Sequence, residues 1–190
     1  MKKILITAFE PFDNQKENSS LEVIKSLGLN YKVLPVLYQK EIYEKLLLEE
    51  KPDILLLCGQ AGGRDSITIE QVAINMQYSK TKDNNGVIKL GEKIIEEGKD
   101  AYFATIPSLE IVERLEAKNL PVKLSLSAGG YICNLSFYAS LYYAEKYGLD
   151  TKIGFIHFPY YEGQSNIKNM PTLSLDIQTK VMKEILKIIS

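Results

Sequence analysis

Three side chains in this sequence have chemistry suited to covalent hydrolysis, although they lie far apart along the chain. Cys133 supplies a thiol, His157 is the only histidine, and Glu70 is a carboxylate inside an otherwise apolar segment. An imidazole with an ordinary pKa of about 6.5 can take a proton from a thiol and return it to a leaving group. A carboxylate that accepts the imidazole N–H fixes its tautomer and stabilises the imidazolium. A Cys–His–Glu triad is therefore one interpretation of these residues.

Each of the three also has an ordinary structural interpretation. Cys133 lies among apolar residues and could be a small core side chain. His157 could be a strand histidine that is satisfied by a backbone carbonyl. Glu70 could be a solvated edge residue, as most single glutamates are. The residue types alone leave both sets of interpretations open.

The position of Cys133 gives the chemical interpretation a physical basis, although core packing stays open as the commoner interpretation of such a cysteine. It follows a turn of small residues, Ser127-Ala128-Gly129-Gly130, between a predicted strand and a predicted helix that begins near Tyr131. We expect the sulfur in the first helical turn, where free N–H groups and the positive end of the helix dipole favour a thiolate. The same N–H groups could hold an oxyanion.

The elements that must position these residues alternate between strands and helices. Apolar runs predict strands at 4–9, 31–37, 54–58, 102–105, 122–126 and 153–158, and an extended stretch through Ile67, Ile69 and Val72. Helical spacing predicts helices at 41–50, 108–118, from about 131, and at 175–189, with a first helix capped by Ser19 and Glu22 in a capping box. Residues 77–100 are predicted as a long polar loop. The pattern predicts an α/β fold: one domain, 1–190, as a three-layer α/β/α sandwich around a largely parallel, twisted sheet, with sites at the carboxyl ends of its strands.

Composition excludes several function classes. The formal charge of −1 over 190 residues offers no excess positive potential for a nucleic acid or a membrane surface, so neither partner is expected. No apolar run approaches the length of about 18 residues that spans a bilayer, and we expect a cytoplasmic protein. Cys58 and Cys133 lie on unrelated segments with no C-x-x-C pair or histidine cluster, so no metal and no cofactor are expected.

Two further segments could face a ligand. Gly59-Gln60-Ala61-Gly62-Gly63-Arg64 follows a buried strand, but it lacks the G-x-G-x-x-G order and the G-K-[ST] ending of nucleotide-binding loops. Phe9 and Phe12 flank Glu10-Pro11 after the first strand and could line a site, whereas ordinary core packing is the alternative for Phe9.

Taken together, four segments resemble the pyroglutamyl peptidase I family, also called pyrrolidone carboxyl peptidases, along nearly the whole chain. ILITAFEPFD resembles the opening strand and loop of the family, and KPDILLLCGQAGGR followed by ITIEQVAIN resembles its glutamate region. SAGGYICN resembles the segment of its nucleophile, and GFIHFPY the segment of its histidine.

The resemblance implies a cysteine exopeptidase that removes an N-terminal pyroglutamyl residue from peptides through a thioester. It assigns Cys133, His157 and Glu70 to the family's triad. It also implies that Phe9 and Phe12 flank the pyroglutamyl ring, that Asn18 helps to order their loop, and that Gln60 approaches the lactam. Family members form homo-oligomers, so a dimer or tetramer is expected.

Some positions depart from the family. Asp13-Asn14 stands where glycines are usual, Ser19 replaces a usual proline, and Lys80 occupies a site position where many members have an arginine. Two alternatives therefore stay open: a non-catalytic pyroglutamyl or peptide binder with an altered pocket, and a nucleoside phosphorylase-like enzyme on a similar fold, for which Arg64 would be the local phosphate candidate. The intact triad residues favour the peptidase.

Overall fold

The computed structural model describes residues 2–165 and 167–190, whose strands and helices alternate along the chain. The strands are β1 (Ile4–Phe9), β2 (Tyr31–Leu34), β3 (Ile54–Gln60), β4 (Ile67–Glu70), β5 (Val72–Ile74), β6 (Gln77–Ser79), β7 (Lys89–Glu92), β8 (Ala101–Phe103), β9 (Val122–Ser125), β10 (Lys152–Phe158), β11 (Tyr160–Tyr161) and β12 (Thr172–Leu173). The helices are α1 (Ser19–Ser26), α2 (Glu41–Glu50), α3 (Ser108–Glu116), α4 (Ile132–Lys146) and α5 (Leu175–Ile189). None of the described helices combines the length and apolar character needed to cross a bilayer.

Six strands form the central sheet in the order β2-β1-β3-β10-β4-β9. The first four are mutually parallel, whereas β4 runs antiparallel to β10 and parallel to β9. The predicted α/β fold with a largely parallel sheet is confirmed. The reversal at β4 matters for the site, because it pairs Glu70 with Phe155 and Thr68 with His157.

The core lies in two layers, one on each face of the sheet. Alternate side chains of β3 define them: Leu55 and Leu57 pack with α2 and α4, whereas Leu56 and Cys58 pack with α1, α3 and α5. This alternation follows from the period of two in a strand. Cys133 on α4 packs against the first layer and Cys58 is fully buried in the second, so the sheet separates the two thiols.

Residues 77–100 differ from the predicted long loop, because they contain the antiparallel pair β6 and β7. The Asp83 carboxylate closes the turn between them by accepting hydrogen bonds from the backbone N–H groups of Asn85 (2.9 Å) and Val87 (2.8 Å). Such side-chain to backbone bonding is a turn signal rather than a strand signal. Strand β2 is also shorter than predicted and ends at Leu34, ahead of Pro35.

The predicted capping box at α1 is wrong by one residue. Asn18 is the N-cap, and its Oδ1 accepts hydrogen bonds from the backbone N–H and the hydroxyl of Ser20. Ser19 instead takes part in tertiary contacts, donating its N–H to Gln60 Oε1 at 2.8 Å and its hydroxyl to the Phe158 carbonyl. The Ser19 hydroxyl is therefore not available to cap α1.

Candidate active site

A cavity of about 450 Å³ lies where the carboxyl ends of β1, β3 and β10 meet the first turn of α4. Its lining includes aromatic and polar side chains from these elements and from the loops beside them: Phe9, Phe12, Gln60, Arg64, Tyr131, Cys133 and His157. Clefts at the carboxyl edge of a parallel sheet are where ligands bind in α/β folds. The predicted nucleophile and base thus share one cavity.

The pairing of β4 with β10 brings Glu70 to His157. The two residues lie on the same face at diagonal positions, because Thr68 is directly opposite His157 and Glu70 is two residues further on. The distance between His157 Nδ1 and Glu70 Oε1 is 2.8 Å, and both side chains are buried. An ionised carboxylate can only accept, so Nδ1 carries the proton and Nε2 is left with a lone pair.

Cys133 lies on the face of the sheet that carries His157 and Glu70. It is the second residue of α4, and its sulfur lies against Gly59, where an added Cβ would come within 2.9 Å of Sγ. Gly59 is paired with His157 across β3 and β10. The Tyr131 side chain makes no cap hydrogen bond, so N–H groups of the first turn are left for a ligand. These are suitable donors for an oxyanion.

The pKa shifts indicate that the Cys133 thiol and the His157 imidazole are both uncharged in the resting site. Burial, reinforced by the negative charge of Glu70, raises the pKa of the Cys133 thiol to about 12. Burial also lowers the pKa of His157, outweighing the opposing hydrogen bond and charge of Glu70. Burial therefore opposes the thiolate that the helix terminus is predicted to favour.

Glu70 behaves oppositely, since it stays ionised although it is fully buried. Burial raises the pKa of its carboxyl, but the hydrogen bond and charge of His157 and the charge of Arg64 together lower it below its usual range. An ionised carboxylate at this distance can keep an imidazole in one tautomer and can stabilise an imidazolium.

An apolar slot adjoins the reactive pair. Phe9 and Phe12 both line it, as does Tyr131, whose ring centroid lies 5.7 Å from that of Phe12. Tyr131 was not among the predicted site residues, although its place two residues before Cys133 was an available signal. The three rings offer a surface for a flat, uncharged group.

Comparison with known proteins supports the same class of protein as the geometry of the site does. A profile described as pyroglutamyl peptidase matches residues 2–190. The chain belongs to the pyroglutamyl peptidase family. Neither the non-catalytic binder nor the nucleoside phosphorylase-like alternative is favoured by what it resembles.

Individual relatives match this family member over almost their whole length. It is 40% identical to a pyrrolidone-carboxylate peptidase of Thermococcus onnurineus, with 97% of each chain covered. It is 42% identical to that of Thermosipho africanus, with 92% of this chain and 90% of the relative covered. The crystal structure of pyrrolidone carboxyl peptidase from Fervidobacterium islandicum AW-1 superposes with a TM-score of 0.93 at 35% identity, covering 98% of this chain and 97% of that one.

Within this family member, hydrogen bonds hold the loop that carries the two phenylalanines. Asn18 Nδ2 donates to the Glu10 carbonyl at 3.2 Å. The Glu10 carboxylate in turn accepts hydrogen bonds from the Val36 N–H (3.1 Å) and Asn84 Nδ2 (2.7 Å). The Asn18 side chain therefore joins the start of α1 to the beginning of the loop, directly after β1.

Gln60 lines the cavity, but its side chain is largely engaged within the protein. Its Oε1 accepts hydrogen bonds from Ser19 N (2.8 Å) and Gln164 Nε2 (2.7 Å), and its Nε2 donates to Gln15 Oε1 at 2.7 Å. One N–H of the amide remains for a ligand. Gln60 therefore braces three segments around the cavity.

Lys80 is the predicted site residue that the structure does not bring to the cavity. It lines an adjoining groove with Asp13 and Asn14. The segment around it is tied to the start of α4, since Tyr78 N–H donates to the Gly130 carbonyl and the Tyr131 hydroxyl donates to the Lys82 carbonyl. Lys80 consequently has no geometric support as a substrate contact.

The departures at Asp13 and Asn14 have a conformational explanation. Both residues have positive φ, 52° and 58°, in the left-handed region where glycine is usual. Asparagine and aspartate tolerate this region better than other side chains do. The loop keeps the backbone shape that glycines would give.

Proposed function

We propose that this chain is a cysteine exopeptidase that hydrolyses the bond after an N-terminal pyroglutamyl residue. Cys133 is the nucleophile, His157 the acid and base, and Glu70 the group that orients His157. The observation that carries the proposal is that Cys133 and His157 line one cavity while His157 Nδ1 lies 2.8 Å from buried Glu70. Family membership supports the same activity.

The first half of the reaction forms a thioester. His157 Nε2 takes the thiol proton as Cys133 Sγ bonds to the carbonyl carbon that follows the 5-oxoproline ring. The carbonyl oxygen becomes negative and is held by N–H groups at the start of α4. The tetrahedral intermediate then breaks its C–N bond, and the imidazolium gives its proton to the departing amine.

Water completes the second half. His157, neutral again, takes a proton from water as the oxygen attacks the thioester carbon. The C–S bond breaks, the sulfur recovers the proton from His157, and free pyroglutamate leaves. Glu70 stabilises the imidazolium in both halves without becoming protonated.

The slot accounts for the proposed specificity. A cyclised N-terminus carries no ammonium ion, so it can enter an apolar slot without the cost of burying a charge. Phe9 and Phe12 flank the ring in this proposal, while Asn18 and Gln60 hold the surrounding loop. A site that pairs the lactam N–H and C=O rejects prolyl peptides, because they lack the lactam oxygen.

Hydrolysis of a pyroglutamyl amide reporter under reducing conditions tests the proposal. We expect turnover by the wild type, loss in Cys133→Ser, and retention in Cys58→Ser, since Cys58 lies on the other face of the sheet. Prolyl and glutamyl reporters serve as substrate controls. No turnover by folded wild-type protein, or equal turnover of the prolyl reporter, contradicts the proposed activity.

Domain organisation, cellular location and assembly complete the proposal. We propose that residues 1–190 form a single domain and that the protein is cytoplasmic, where a nucleophilic thiol stays reduced. A homo-oligomer, dimer or tetramer, is proposed from the family resemblance. Sedimentation of the purified protein measures the oligomeric state directly.

A further inference from the structure

We propose that Arg64 is a positioning residue for the reaction, holding Glu70 against His157 and fixing the turn that leads into Cys133. This inference rests on the proposed function. Sequence reasoning had considered Arg64 only as a phosphate candidate. The structure gives its guanidinium a different set of partners.

The guanidinium connects two parts of the site. Its Nη1 lies 2.5 Å from Glu70 Oε1 and also donates to the Thr68 hydroxyl, while its Nη2 donates to the Ser127 carbonyl at 3.1 Å. Glu70 Oε1 is the same oxygen that accepts from His157. Ser127 begins the small-residue turn before α4. One planar group thereby links the acid of the triad to the segment that carries its nucleophile.

Burial explains why this link is needed. Glu70 is fully buried, and without Arg64 its carboxylate would keep only neutral hydrogen-bond partners, the Thr68 hydroxyl and the resting imidazole of His157. A buried carboxylate with no opposite charge beside it is strongly unfavourable. A rigid fork of donors can satisfy a carboxylate and a carbonyl at once, which a lysine ammonium cannot match in geometry. Among the described cavity-lining residues, Arg64 is the one arginine or lysine. An ion pair that only stabilised the fold would not need to lie in the cavity with Cys133 and His157.

The position of this charge affects both reacting groups. The positive charge of Arg64 acts to lower the pKa of Cys133 and that of His157, alongside the larger effect of burial. The titratable groups that face the thiol come from five segments: Glu70, Arg64, Tyr43, Tyr131 and His157. Removing the Arg64 charge should therefore make the thiol harder to ionise and the imidazole easier to protonate.

Alkylation of Cys133 by iodoacetamide, followed across pH by peptide mass mapping, tests this without any substrate. In Arg64→Met we expect the alkylation rate near neutral pH to fall about tenfold, because an opposite charge nearby alters ionisation by about that factor or more. Arg64→Lys should restore much of the alkylation rate but not kcat, since it keeps the charge and loses the fork.

Lys123→Met is the matched control, because it removes one cation from an exposed pair with Asp65 outside the cavity. It should leave both alkylation and kcat unchanged. Folded Arg64→Met that is alkylated at the wild-type rate overturns the inference, as does full kcat in Arg64→Lys. If the wild type fails to hydrolyse the reporter, the proposed function fails, whereas the alkylation measurements still report on Arg64.

Discussion

Replacing Gly59 by alanine adds one methyl group next to Cys133. This substitution should lower the catalytic rate of protein that still folds. A Cβ at Gly59 would lie 2.9 Å from Cys133 Sγ and 2.8 Å from Phe155 Cζ. Phe155 also packs against the imidazole, with ring centroids 4.6 Å apart. The Gly59→Ala substitution therefore pushes on the nucleophile directly and on His157 through one neighbour.

The size of the effect follows from these distances. Carbon atoms in favourable contact are about 3.5 to 4.0 Å apart, so the sulfur and the Phe155 ring must each give way by up to about 1 Å. A displacement of about 1 Å from a productive geometry can cost about 100-fold in rate. The three atoms nearest to the new methyl group belong to Phe155 and Cys133, and none belongs to Phe9 or Phe12. We expect kcat to fall about 100-fold and KM to change little.

The assay compares kcat and KM for the pyroglutamyl reporter between the wild type, Gly59→Ala and Gly154→Ala. The last is a matched control: its Cβ would lie 2.0 Å from Ile106 Cδ1, in the layer away from Cys133. Overpacking there should cost about 1 to 3 kcal/mol of stability and leave kcat of the folded protein intact. Wild-type kcat in folded Gly59→Ala would refute the seating of the sulfur on Gly59.

Two further predictions concern stability. Asn18→Ala removes the N-cap of α1 and should lower the free energy of unfolding by about 1 kcal/mol, as read from denaturant midpoints; an unchanged midpoint would contradict the assigned cap. The pKa values of Glu70 and His157 are both lowered by folding, so the unfolded chain binds more protons and stability is lost as pH falls. We expect Tm to drop below about pH 6.5, the ordinary imidazole pKa, and the drop to shrink in His157→Gln. A Tm that rises on acidification contradicts the stated direction.

Local pattern was sufficient to predict elements whose signals lie within the element itself. The strand at Ile4–Phe9 and the helix at Leu175–Ile189 have the predicted bounds, because apolar runs and helical periodicity are read within short windows. The fold class followed from the alternation of such elements. The β6–β7 hairpin was missed, since its turn depends on the side chain of Asp83.

Features that depend on distant contacts could not be predicted in the same way. The cap at Asn18 was misplaced because Ser19 donates to Gln60, which lies 41 residues away. The contact between Arg64 and Glu70 could not be predicted from the sequence, because it forms only when the loop before β4 folds back onto that strand. The identities of the proposed triad were available from residue types and the family resemblance, but their supporting residues were not.

The register of β4 against β10 determines both the packing of the core and the position of Glu70 in the site. Because side chains alternate along a strand, a slip of one residue would turn Glu70 toward the layer that contains Cys58. A carboxylate there would lose both His157 and Arg64 and lie among apolar side chains, at a cost of several kcal/mol. The slipped register would also expose Ile67 and Ile69 to the cavity side. The hydrophobic pattern that selects the register is thus what aims Glu70 at the imidazole, and the ion pair in turn penalises every alternative register.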